Sequence, residues 1–156
     1  MCKVADAAKL MINHAIDLAK RTNDPRYYAD FYKLHKLLYY AQGYMLTHYG
    51  KHLFEEDVEA HNCGVLIPKL LDLPIDYDAI TKKFDENDIL PLTSDRVEAI
   101  DHTLSRYGSM SKDELVNQCR NDPVYRKCAS AGSPEGKTVI PKETMAAAKD
   151  VFDPDV

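Results

Sequence analysis

The sequence predicts a mainly α fold: a single compact helical domain with a small β-hairpin between the second and third helices. Three observations predict it. Apolar residues recur at the helical period through most long segments. Several of those segments carry their own start and stop signals, with Asp or Ser before them and Gly after. Only the stretch 53–60 has the short, paired character of strands. A length of 156 residues suits one domain. A chain of this size buries about 70% of its unfolded surface, so it needs neither disulfides nor a metal to fold.

The first helix is expected over 4–20, where Val4, Ala8, Met11, Ala15 and Leu18 form a stripe widened by Ile12, Ile16 and Ala19. Asp6 lies near the positive end of the helix dipole, and Lys20 and Arg21 near the negative end. "TNDP" stops it. The second helix is expected over 29–49, with Leu34, Leu37, Leu38, Ala41, Tyr44, Met45 and His48 inward. Gly50 is placed to take the left-handed conformation that ends a helix. Gly43, mid-helix, costs about 1 kcal/mol relative to Ala; it reflects the close approach of another element or nothing at all. Tyr39 and Tyr40 are adjacent and point to different sectors, one to the core and the other to the surface.

A hairpin is expected next, Leu53 and Phe54 pairing with Val58 and Ala60 around the acidic turn 55–57. "VLIPKLLDLP" reads as a short apolar helix ended before Pro74. Residues 74–92 read as a loop with one helical turn, and 94–107 as the third long helix. Ser111 and Glu114 fit a capping box, with Met110 and Leu115 as the hydrophobic staple around it. Asp122 and Pro123 start another helix. "SAGSPEGK" is a loop, 138–140 is extended, and 141–152 is a final helix with Met145, Ala148 and Phe152 inward.

Composition narrows the function classes. A net charge of −5 and a pI near 5.6 argue against a general phosphate-binding surface. No apolar run is long enough to span a bilayer, and the N-terminus lacks the features of a secretion signal. The four scattered Cys then read as free thiols of a cytoplasmic protein. Ten Tyr with no Trp supply packing area with polar tips, suited to the core edge or to an interface.

The residues offer few routes to chemistry. His61-x-Cys63 and His48-x3-His52 are the local metal-like clusters, but Gly50 separates the latter pair and neither has a second close pair. Cys63 beside Gly64 is a conceivable thiolate nucleophile with His61 or His102 as base. There is no GxxxxGK(S/T) or GxGxxG phosphate cradle. The acid pairs in "FEED" and "DEND" read as solvated turns. The expectation is no metal, no cofactor and no catalysis.

"KLHKLLYYAQGYMLTHYGKHLFEEDVEAHNCGVLIPKLL" resembles the core signature of the Panacea domain of SocA-like antitoxins. Residues 33–43, 50–54, Glu59, Ala60, Gly64 and Pro68 fit it, and "SRYGSMSKDELVNQCRNDPVYRK" is similar to the family's C-terminal part. The chain departs from the pattern at His61, where an aromatic is usual, at Gly64-Val65-Leu66 in place of Gly-Pro-Val, and near Gln118-Cys119. The resemblance implies a non-enzymatic antitoxin that binds a cognate protein toxin directly. One branch also delivers its toxin to a Clp-type protease, and related domains occur on phages and mobile elements. Many relatives add a DNA-binding domain, for which this chain leaves no room, so no nucleic-acid or membrane partner is expected. Other readings are an inhibitor of a host defence protein and a small Cys/His hydrolase. The expected partner contacts are an exposed sector of the second helix and the turn after the hairpin: Lys33, Tyr40, Gln42, Tyr44, His61, Asn62 and Gly64. The alternative is that Tyr40 and Tyr44 are core and the motif encodes only the fold. "HNCG" itself reads as the exit from the hairpin into a helix.

Overall fold

The computed structural model describes residues 2–62, 64–130 and 137–154. Among them are seven α-helices: α1 (Val4–Thr22), α2 (Phe31–Tyr44), α3 (Ser94–Tyr107), α4 (Lys112–Arg120), α5 (Pro123–Ser130), α6 (Lys142–Ala146) and α7 (Lys149–Phe152). Strands β1 (Val58–His61), β2 (Gly64–Leu66) and β3 (Lys137–Ile140) form an antiparallel sheet in the order β2-β1-β3. The fold is mainly α with a small hairpin between the second and third helices, as expected. No described helix is long and apolar enough to cross a membrane.

Helix α2 is the centre. It packs against α3, α4, β2 and α7, and every residue from Lys33 to Tyr44 is buried. Asp30 caps it, its carboxylate accepting the Lys33 N–H at 2.9 Å. It runs on into a π-helical turn, Met45–Tyr49, and stops at Gly50 with φ 72°. A helix enclosed on all sides must satisfy its polar side chains internally.

Two buried amides act as substitutes for strand pairing. Gln42 accepts the Leu53 N–H at 2.6 Å and donates to the Phe54 carbonyl at 2.9 Å. Asn13 of α1 does the same for Phe84, donating to its carbonyl at 2.9 Å and accepting its N–H at 2.8 Å. Asp6 accepts the Leu90 N–H at 3.0 Å, so α1 holds the irregular segment before α3 at two points. The clamp by Gln42 corrects the expected hairpin. Leu53 and Phe54 are not a strand, because a side chain of α2 takes the hydrogen bonds a neighbouring strand would have taken. The hairpin is β1–β2, with His61 opposite Gly64 and Glu59 opposite Leu66.

Two further expectations are corrected. The short helix expected from "VLIPKLLDLP" is β2 followed by a 3₁₀ turn, Pro68–Asp72. The final helix is two short ones broken at Ala147–Ala148, where Ala148 has φ −103° and ψ 56°. Phe152 lies against Gly43; a Cβ added there would sit 2.1 Å from its ring. That contact accounts for the mid-helix glycine. Met145 and Phe152 are buried as expected, while Ala148 is only half-buried.

The long helices match their expected signals. Ser111 and Glu114 exchange both capping-box hydrogen bonds, at 3.1 and 3.0 Å, and Asp122 accepts the Val124 N–H at 2.7 Å. The 3₁₀ turn Glu86–Asp88 is the expected helical turn of the loop before α3. Cys2, Cys119 and Cys128 are free and buried. Cys63 and most of "SAGSPEGK" lie outside the described residues.

Candidate functional site

The seven residues expected at a partner surface fall into two groups. Lys33, Tyr40, Gln42 and Tyr44 are at most 5% exposed, so the expected exposed sector of α2 is corrected. Each polar head but one is engaged inside the protein. Lys33 donates to the carbonyls of Arg26, Tyr28 and Gly108 at 2.7, 3.3 and 2.9 Å. Gly108 follows the last turn of α3, so the ammonium also sits at the negative end of that helix. Burial holds the Lys33 pKa below the ordinary ammonium range. Tyr44 donates to Glu98 at 2.7 Å, and its ring is stacked between His48 and His102, with centroids at 4.9 and 3.9 Å. Of these four, only the Tyr40 hydroxyl has no partner among the described residues. Tyr39 and Tyr40 are both core, against the expected division between core and surface.

His61, Asn62 and Gly64 lie at the β1–β2 connection. The described residues of "HNCG" therefore lie where β1 ends and β2 begins, which corrects the reading of this stretch as an exit into a helix. His61 Nε2 pairs with Glu59 at 2.8 Å, and its carbonyl accepts the Tyr125 hydroxyl. Gly64 has φ 126°, a conformation that strains any L side chain, and faces the Lys36 stem. Asn62 is the one exposed member of the seven.

The groups weighed as chemistry are dispersed. His48 Nδ1 binds Asp153 at 2.9 Å, on the far side of Gly50 from His52. No group of three His, Cys, Asp or Glu poised to hold a metal is found among the described residues. His102 is partly buried against the Tyr44 ring, and burial lowers its pKa. The Cys2 and Cys119 thiols are pushed up by burial to about 11 and about 12, which keeps them protonated at neutral pH.

A different surface has the composition of an interface. Tyr77 is 63% exposed and Tyr32 40%, with ring centroids 5.5 Å apart. Phe31 backs them at 4.7 and 5.5 Å, and Lys112 of α4 sits 5.0 Å over the Tyr32 ring. The cluster is built by backbone pairing. Phe31 N–H donates to the Asp76 carbonyl at 3.0 Å, and Ile80 N–H to the Ala29 carbonyl at 2.8 Å, tying the loop to the start of α2. Exposed tyrosines held rigidly next to a cation are typical anchors at protein interfaces. Sequence reasoning missed Tyr77 because 74–92 has no period. The available signal was an aromatic between two acids, "IDYDAI", in a stretch with no helix or strand to bury it.

The start of this cluster adjoins a matched region of the chain. A family model described as the antitoxin SocA-like Panacea domain matches residues 34–124, from α2 to the start of α5. No curated protein and no solved structure matches the chain. The family match spans more than half of the 156 residues, and the chain belongs to the SocA-like antitoxin, Panacea-domain family.

Proposed function

We propose that this member of the SocA-like antitoxin family neutralises a cognate protein toxin in the cytoplasm by binding it directly, without catalysis. The family match over 34–124 carries the reading. The Phe31–Tyr32–Tyr77 cluster with Lys112 supports a binding surface on that domain, because it offers ordered aromatic area to a partner at little entropic cost.

Co-expression with the product of the neighbouring gene tests it. The chain restores growth to cells producing that toxin, and the pair co-elutes after purification. Rescue that disappears in a strain lacking Clp-type proteases rejects direct inhibition and assigns the adaptor role instead. Cys63→Ala rescues as well as the wild type; loss of rescue in a folded Cys63→Ala chain would assign a catalytic thiol and sink the proposal.

A further inference from the structure

The Tyr40 hydroxyl is an exception in a well-paired core. It is buried and has no hydrogen-bond partner among the described residues. Its neighbours Tyr39 and Tyr44 reach carboxylates at 2.6 and 2.7 Å. Leaving a buried hydroxyl unpaired costs about 1–3 kcal/mol, and native proteins keep few such groups without a reason. Tyr40 lines a cleft of about 620 Å³ between the end of α3, the outer side of α4 and the chain around α7. The Tyr107 ring, stacked on Tyr40 at 4.5 Å and 20°, forms part of the same wall.

The other lining groups set the chemistry. Asn117, Gln118 and Asn121 offer amide carbonyls and Asp150 a carboxylate, while the lining carboxylates of Glu114 and Asp122 already accept the backbone N–H groups of Ser111 and Val124. Asp150 is exposed and makes no ion pair among the described residues. Arg106 is the single cation among the lining residues, and its guanidinium already lies over the Tyr107 ring at 5.5 Å. The cleft thus carries more negative than positive groups, which disfavours a phosphate-bearing ligand and favours a cation. A guanidinium is flat enough to lie along stacked tyrosines and has five donors to distribute among spread acceptors, whereas an ammonium is a compact, strongly hydrated point.

We infer that this cleft receives an arginine side chain presented by the partner protein, with the Tyr40 hydroxyl among its acceptors. The inference rests on the antitoxin reading and adds the chemistry of one partner contact to it.

The test is an NMR titration of the full chain with N-acetyl-Gly-Arg-Gly-amide, and with the same peptide carrying Lys or Gln. The Arg peptide shifts the signals of Asn117, Asn121 and Tyr107 and binds about tenfold tighter than the Lys peptide. Asp150→Lys removes the binding. Tyr40→Phe weakens it about tenfold and yet melts at or above the wild-type temperature, because a buried group without a partner has been deleted. Equal shifts with the Gln peptide, no shifts at millimolar peptide, or preferential binding of adenosine overturn the assignment. So does a lower melting temperature for Tyr40→Phe, which would show an ordered water satisfying the hydroxyl. In the toxin assay, full rescue by both Asp150→Lys and Tyr40→Phe overturns the cleft and leaves the antitoxin reading standing. A wild-type chain that fails to rescue overturns the antitoxin reading and, with it, the partner named for the cleft.

Discussion

Helix α2 and the segment between β2 and α3 invert the usual rule in opposite directions. Along α2, Lys33, His35, Lys36 and Gln42 are buried. In the following segment Leu71, Tyr77 and Leu90 are 54%, 63% and 65% exposed. A buried polar group is informative about construction, and an exposed apolar cluster about partners. The residues that make this chain recognisable as a Panacea domain serve mainly construction: Lys33 closes the end of α3, Gln42 clamps the chain after α2, and Gly43 admits Phe152. The exposed aromatic cluster joins Tyr77, from a loop that the motif does not describe, to Phe31 and Tyr32 at the start of α2 and Lys112 of α4. On the proposed reading, toxin choice can vary at Tyr77 while the buried part of α2 keeps the fold.

The sharpest way to break this comparison is Gln42→Leu. The change keeps α2 apolar but orphans the Leu53 N–H and the Phe54 carbonyl, both buried. At about 1–3 kcal/mol for each buried group, the expected loss is about 4 kcal/mol, read from the shift in the urea midpoint. A loss under about 1 kcal/mol would mean that water reaches those groups, and that Gln42 is dispensable to construction.

His35 sharpens the comparison through pH. Its Nδ1 accepts the Ile67 N–H at 3.0 Å, which places its proton on Nε2, a buried atom with no partner among the described residues. Burial, followed by the nearby Lys36 and His61, lowers its pKa from 6.5 to about 4. Between those values the unfolded chain binds a proton that the folded chain does not, so stability is complete above pH 6.5 and falls as pH drops toward 4. The full loss is about 3 kcal/mol. His52 and His102 are lowered as well and act in the same direction. His35→Asn keeps an acceptor for Ile67 and should flatten most of the slope in urea midpoint against pH; an unchanged slope would exclude His35 as its source.

Gly43→Ala has a smaller expected effect, about 2 kcal/mol, because the Cβ would overlap the Phe152 ring and the short α7 must shift. Melting and loss of protease resistance around residues 149–152 would report it together. Gly43 also marks the limit of what the sequence discloses. A glycine inside α2 was legible; the ring that fills its place, 109 positions later, was not. The legible elements α3, α4 and α5 have periodic faces and local signals, such as the Ser111–Glu114 box and the Asp122 cap. Much of what escaped is held by hydrogen bonds from another element of the fold. Leu53 and Phe54 resemble a strand until Gln42 is known to hold them. Lys33 and Gln42 look solvent-facing by residue type until the carbonyls they reach are known. Val58 and Ala60 were rightly placed on a strand of the hairpin, but its other strand is Gly64–Leu66 and not Leu53 and Phe54, for that reason.

Tyr77→Ala should have the smallest effect on the fold and the largest on the partner. The residue is exposed, and among the described residues its ring meets only the aromatic rings of Phe31 and Tyr32 and its removal orphans no buried polar group. The expected change in stability is within about 0.5 kcal/mol. Binding of the toxin should weaken at least about tenfold, because a rigid aromatic anchor at an interface contributes more than its exposed area suggests. Calorimetric titration of wild type and variant against purified toxin separates the two effects. Equal affinities in a folded variant would move the toxin surface away from the cluster, and the contrast would then lie between α2 and the cleft at Tyr40. A loss of stability above about 1 kcal/mol would instead make Tyr77 part of the construction, since exposed positions without a structural role rarely cost that much.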